Sequence, residues 1–169
     1  KQLLTFSKQE NGVNKVLNFK SVVQESIKLV RSTTPANIDI RQTLSKNVYP
    51  VLGNETQINQ MLINLCNNAV DAMPTTGGLL TIELVNEIVN ENHAKRPPNL
   101  KPGQYVKLVV SDNGCGMDKE TIDRIFEPYY TTKEIGKGSG IGLAVVHGII
   151  ERHGGSVTVT SQTGQGTMF

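Results

Sequence analysis

The sequence predicts an α+β fold in which helices are layered on a mixed, mostly antiparallel sheet. Two early helical periodicities, alternating apolar runs in mid-chain and one apolar helix among the later strands support this reading. Residues 19–31, FKSVVQESIKLVR, place Val22, Val23, Ile27 and Val30 at helical spacing. NIDIRQTL then alternates through Ile38 and Ile40 to Leu44, a strand pattern. Asn54 followed by Gln57 resembles a capping box and opens a helix from about Glu55 to Met73. LLTIELV (79–85) and YVKLVVS (105–111) read as strands, bridged by the Pro- and Asn-rich NENHAKRPPNLKPG as a loop or long hairpin connection. Gly142 to Arg152 reads as a buried helix, and SVTVTS (156–161) as a further strand.

A chain of 169 residues with 37% hydrophobic and 19% charged residues fits one globular domain of ordinary size. A net charge of +2 is too small to argue for a nucleic-acid partner or a membrane surface. The longest apolar run, Ile141 to Val146, is broken by Gly142 and is far short of a membrane span. No secretory signal opens the chain: Lys1 leads into polar sequence after only Leu3, Leu4 and Phe6. Cys66 and Cys115 lie in different contexts, so no disulfide framework is expected and the reading is a reducing, cytoplasmic setting. KQLLTFSKQ resembles the tail of a longer helix, and a strand starts at the final GTMF. The expectation is therefore a domain of a larger protein, with helix end and linker over 1–18 and a folded unit over 19–169 whose last strand is cut.

Three motifs bear on chemistry. GKGSGIGL (136–143) fails the Walker phosphate-loop pattern because Gly138 follows Lys137, and it gives G-x-G-x-G where a dinucleotide fingerprint needs G-x-G-x-x-G. What remains is a glycine loop entering a helix N-terminus, where free N–H groups and the helix dipole favour phosphate, or else a plain mobile turn. NLCNNAVDAM (64–73) sits on the second helix. At roughly 100° per residue, Asn64, Asn68 and Asp71 fall within about 60° of one another. They border an apolar stripe of Ile58, Met61, Leu62, Leu65, Ala69 and Ala72. Amide and carboxylate oxygens suit Mg2+; the alternative is a solvated face, which Asn59, Gln60 and Asn67 fit. VVSDNGCGM (109–117) ends a hydrophobic strand in Asp112. Ionised, that carboxylate only accepts hydrogen bonds and selects a ligand with an N–H donor, such as adenine's amine; a common Asp-Asn-Gly turn is the alternative.

Together and in this order, the motifs resemble the ATP-binding catalytic domain of two-component sensor histidine kinases, and more widely the superfamily shared with DNA gyrase, the large heat-shock chaperone ATPase and MutL. NLCNNAVDAM resembles the N box, DNGCGM the G1 box, IFEPYYTTK the F box, GKGSGIGLAVV the G2 box and GQGTMF the final glycine box. The resemblance runs from about Phe19 to the C-terminus. It implies the Bergerat-type fold, a two-layer α/β sandwich with helices covering one face of the sheet. It implies ATP and Mg2+ as ligands. Asp112 would receive the adenine amine, with Gly114 and Gly116 in the same box, Gly116 allowing close approach to the base, and Thr167 supporting the Asp112 network. Asn68 would coordinate Mg2+, with Asn64 one turn away beside the phosphates. Gly138, Ser139, Gly140, Ile141, Gly142 and Leu143 would shape the phosphate end of the pocket. The segment from about Tyr130 to Ser139 would be the ATP lid, with Lys133 a phosphate contact and Phe126 anchoring the lid.

Two departures from the family pattern matter. Many members carry a basic residue three positions after the Mg2+ asparagine, where this chain has Asp71, so Lys133 or Lys137 has to supply that charge. Hydrolysing relatives carry a glutamate at the position of Asn64, and an amide cannot act as a general base, which argues for phosphoryl transfer to a protein. His93, His147 and His153 each read as structural, so the phosphoacceptor histidine is expected upstream, on a dimerisation domain whose last helix ends in KQLLTFSK. The partners implied are that domain, a response-regulator receiver and a second copy of the parent, a homodimer that some family members anchor in a membrane. Two rivals stand beside the kinase: a transfer-inactive sensor module and a gyrase- or chaperone-like ATPase.

Overall fold

The structure, a computed structural model, describes residues 14–90, 100–133 and 138–169. Its elements are β1 (Lys15–Leu17), α1 (Phe19–Thr33), β2 (Ile38–Leu44), β3 (Val51–Gly53), α2 (Glu55–Ala72), β4 (Gly78–Val89), β5 (Gly103–Asp112), α3 (Lys119–Arg124), α4 (Gly142–Arg152), β6 (Thr160–Gln162) and β7 (Gly166–Met168). Five strands form one sheet in the order β2-β4-β5-β7-β6. β2 runs parallel to β4, and every other neighbouring pair in that sheet is antiparallel. A parallel pair cannot be closed by a tight turn, so the chain crosses over through β3 and α2 between β2 and β4. The expected mixed, mostly antiparallel sheet with helices layered on it is the fold observed.

The core follows from two periodicities that meet. Along β4 the alternate residues Leu80, Ile82 and Leu84 are fully buried, as one face of a strand requires. Along α2 the buried positions are Ile58, Met61, Leu62, Leu65, Cys66 and Ala69, one helical stripe. Both sets belong to a single cluster that α1 joins through Val22, Val23, Ile27 and Val30. α1 and α4 both pack on α2, which itself touches β4 and β5. Burial pushes the Cys66 thiol up to about 12. The two cysteines are free, as expected, with Cys66 inside and Cys115 outside.

Several local expectations need correction. Lys15–Leu17, read as linker, forms β1 and pairs antiparallel with β3, so ordered structure begins before Phe19; residues 1–13 lie outside the described residues. The strand expected over 156–161 is confined to β6, because the register Thr160↔Met168 uses up β7 and leaves 156–159 without a ladder partner. α3 was not anticipated; it is a single capped turn and a half, with the Asp118 carboxylate accepting from the Thr121 N–H at 2.8 Å. Asn59 is not a solvated residue: its Oδ1 accepts from the hydroxyl of Ser26, which is fully buried between α1 and α2. The capping box is half formed. Asn54 Oδ1 accepts from the Gln57 N–H at 3.2 Å, but the Asn54 N–H donates to His153 Nε2 at 3.1 Å, where a box would use Gln57. His153 thereby ties the end of α4 to the start of α2, a structural role as expected.

The Ser26–Asn59 bond predicts non-additive stability. Asn59→Ala should cost about 1–3 kcal/mol in urea unfolding by stranding a buried hydroxyl, and clearly less when Ser26→Ala is already present. The thiols give a second check. In native protein a disulfide-exchange reagent at pH 8 should titrate one thiol, Cys115, and in denaturant two. The raised Cys66 pKa stabilises the fold below the unfolded value of 9.0, and that contribution is lost as pH climbs towards about 12.

Candidate functional site

The open side of α2, bordered by the end of β5 and the start of α4, gathers most of the residues singled out from sequence. At one end is the β5 terminus. Asp112 Oδ1 accepts from the Gly114 N–H at 2.8 Å, which curls the Asp-Asn-Gly turn back on itself. Burial raises the Asp112 carboxyl above its ordinary value, and hydrogen bonds from the Gly114 and Thr167 backbones pull it part of the way back. Asp112 and Thr167 are directly paired across β5 and β7. The turn is anchored on both sides: Cys115 N–H donates to the Ala72 carbonyl at the end of α2, and Asn113 Oδ1 accepts from the Leu79 N–H.

Behind Asp112 lies a serine whose part in the network only the fold discloses. Ser161 Oγ accepts from the Met117 N–H at 2.8 Å, donates to the Gly166 carbonyl at 2.8 Å and lies 2.9 Å from Thr167 Oγ1. A hydroxyl has one proton, and here it goes to Gly166, so Thr167 is the donor in the third bond. Nothing in the sequence places Ser161 beside Met117, because the pairing of β6 with β7 does so.

At the other end is the start of α4. Its N-cap, Ile141, gives no side-chain cap, so the first-turn N–H groups keep their capacity to bind an anion. Asn64 Nδ2 donates to the Gly142 carbonyl at 3.3 Å. Asn68 is half-buried, and its amide has no partner among the described residues. A Cβ on Gly142 would lie 3.8 Å from Asn68 Nδ2 and 3.9 Å from Asn64 Cγ, with nothing nearer. So Asn64, Asn68 and Gly142 come together as expected, around a small open space at a helix N-terminus. Leu143 turns its side chain to the core cluster, which leaves only its backbone for the site.

Other expectations are redistributed. The glycine at 116 is required by the protein itself: φ is +64°, and a Cβ would stand 2.0 Å from the Gln162 carbonyl oxygen. Gly138 packs on Thr131 and Lys133, Gly140 packs on Tyr129, and the Tyr129 N–H donates to the Gly140 carbonyl at 2.9 Å. These contacts join the two ends of the expected lid; residues 134–137, with Gly136 and Lys137, lie outside the described residues, as does His93. Ser139 Oγ accepts from the Ile141 N–H at 3.4 Å, a weak turn contact. Lys133 does not stand free but pairs with Asp71 at 2.6 Å. Phe126 packs against His147 of α4 with the rings tilted by 40° at 5.2 Å and meets Phe169 edge-on at 6.5 Å, which fits an anchoring role.

The family model for histidine kinase-, DNA gyrase B- and HSP90-like ATPases matches residues 53–169. The chain belongs to this ATPase family. ATP is the ligand that membership implies. Over the whole of its length the chain is 34% identical to sensor kinase CckA of Brucella abortus, and over 99% of its length 35% identical to sporulation kinase A of Bacillus subtilis. Sensor histidine kinase ZraS of Escherichia coli K12 is 31% identical over 99% of the chain. The chain spans 18%, 25% and 32% of the lengths of these relatives. Among solved structures, the catalytic domain of histidine kinase ThkA superposes with a TM-score of 0.69 at 25% identity, covering 92% of each chain. The mycobacterial sensor histidine kinase MprB gives 0.70 at 23% identity, with 92% and 93% covered. Full-length ShkA in complex with AMPPNP gives 0.67 at 25% identity, with 92% of this chain and 30% of that one covered. This ATPase domain has, among its described residues, no helix long and apolar enough to cross a membrane.

The two glycines make opposite predictions. Gly116→Ala should lower the melting temperature markedly or prevent folding, because backbone and not a flexible side chain fills the space. Gly142→Ala meets only ordinary van der Waals distances at the first helical position, so its melting temperature should hold or rise.

Proposed function

We propose that this chain is the catalytic, ATP-binding domain of a sensor histidine kinase, one that places the γ-phosphate of Mg·ATP for transfer to a histidine on a dimerisation domain. The observation that carries this reading is the pairing of a half-buried carboxylate acceptor, Asp112, with an uncapped helix N-terminus flanked by Asn64 and Asn68. One end suits a base bearing an N–H donor, and the other a polyphosphate. The AMPPNP in the ShkA complex supports the same ligand here.

On this reading Asp112 selects adenine through its exocyclic amine; the Gly114 and Thr167 backbones fix the carboxylate's direction, and the Ser161 hydroxyl braces Thr167 through its side chain. The α4 N–H groups neutralise phosphate charge without moving. Asn68 offers the amide oxygen that would hold Mg2+, and the ion would supply positive charge against the phosphates. The Asn64 amide nitrogen is engaged by Gly142, and an amide cannot abstract a proton from water. That favours a protein acceptor over hydrolysis. An imidazole nitrogen of the acceptor would form the P–N bond as the bond from the γ-phosphorus to the bridging oxygen breaks and ADP leaves. The phosphoryl group would pass on to an aspartate of a response regulator, and a homodimeric parent would supply the acceptor helix.

Calorimetric titration with a non-hydrolysable ATP analogue and Mg2+ tests the reading. Wild type should bind saturably, Asp112→Ala should lose binding at least tenfold, and Gly142→Ala should bind more weakly while staying folded. A folded wild type that does not bind would overturn the reading. Asp112→Ala should leave the chain folded, with a cost of about 1–3 kcal/mol for the stranded Gly114 N–H. A carboxyl raised by burial stabilises the fold only below its unfolded pKa and has lost that contribution by neutral pH, so a thermal melt makes the control. For the same reason analogue affinity should fall on acidification, beginning at a higher pH than for an ordinary aspartate. Phosphate transfer to an added dimerisation domain separates a kinase from a transfer-inactive binder.

A further inference from the structure

Asp71 occupies the last turn of α2, one turn beyond Asn68, and its Oδ2 lies 2.6 Å from Lys133 Nζ. The position is a poor one for a carboxylate, since a helix C-terminus favours cations, and α2 has no basic residue in its last turn. Asp71 therefore does nothing for the helix that carries it. What it does is bring in a cation from a distant segment. Lys133 follows the F-box turn, and its stem passes against Gly138, where a Cβ would lie 3.2 Å from both Lys133 Cβ and Cδ. The ion pair thus holds the lysine, and with it the entry to the glycine stretch, one helical turn from the Asn68 amide.

We propose that Asp71 is a resident competitor, engaging Lys133 at the phosphate end of the site until the nucleotide displaces it. This rests on the nucleotide reading above. Asp71 is 52% exposed and Lys133 34% exposed, so solvent screens their attraction and the pair is held by only a few-fold preference. A polyphosphate presents several anionic oxygens to an ammonium that already stands near and forms stronger charge-assisted bonds with it. The carboxylate thus acts as a resident substitute for phosphate. It occupies the lysine in the ligand's absence and so sets a threshold of negative charge that the ligand must exceed. Nucleotides with more phosphates pass that threshold; a nucleoside does not engage Lys133 at all.

A double-mutant cycle on the whole chain decides the matter, with calorimetry of the Mg-bound non-hydrolysable ATP analogue and, separately, of adenosine. Asp71→Asn should tighten analogue binding about two- to fivefold by freeing Lys133, and leave adenosine affinity unchanged. Lys133→Ala should weaken the analogue, and the double variant should match Lys133→Ala alone. An unchanged Kd in Asp71→Asn would overturn the proposal, as would weaker binding. A gain that persists in the Lys133→Ala background would also overturn it, because Asp71 would then be repelling phosphate directly. Wild type that binds neither analogue nor adenosine would instead strike down the nucleotide reading itself. Thermal melts of all four chains confirm that folded proteins are compared.

Discussion

The constraint on which the rest of the molecule depends is that α2 must be buried along one stripe and polar along the edge beside it. Leu62, Leu80 and Ile82 are fully buried, and each such side chain contributes about 1.5–3 kcal/mol through loss of its hydrated surface. That burial fixes the rotation of α2 about its axis. Once Leu62, Leu65 and Ala69 face β4 and β5, the positions of Asn64, Asn68 and Asp71 are no longer free. The polar edge is then brought to the start of α4, and the site inherits its geometry from the core.

The two ends of the site are built on different principles. Around Asp112 the polar groups are paired with one another: Gly114, Thr167, Ser161, Met117 and Gly166 are all tied by short bonds. Such a network resists rearrangement, because any broken member leaves a polar group unsatisfied away from water. Around α4 the opposite holds. Ile141 supplies no cap, and Asn68 has no partner among the described residues. One end is closed and rigid, suited to reading a shape. The other keeps unspent hydrogen-bonding capacity, suited to receiving charge.

Much of this was legible in the sequence where a local rule governs. The helical stripe of α2, the span of α4 and the strands β2, β4 and β5 follow from spacing alone, and the boxes carried Asn64, Asn68 and Asp112. What was not legible depends on contacts between distant residues. Asn59 looks like a surface amide until α1 brings Ser26 to it, and Gln57 looks like the second arm of a capping box until His153 arrives first. Gly116 is expected from its box to allow close approach of a base; that the Gln162 carbonyl also demands a glycine there emerges only from the fold. β6 is shorter than its alternating pattern because a ladder extends only as far as its partner. Periodicity says what a segment can become; pairing decides how much of it does.

The position of β7 within the sheet also has a temporal consequence. β7 lies between β5 and β6 and pairs Thr167 with Asp112, which stands far earlier in the chain. Contacts that close so long a loop form late, because the entropy of bringing the ends together precedes any reward. A chain emerging from the ribosome can assemble α1, α2, β4 and β5 well before Thr167 exists. Competence to discriminate a ligand is thus among the last properties the nascent domain acquires.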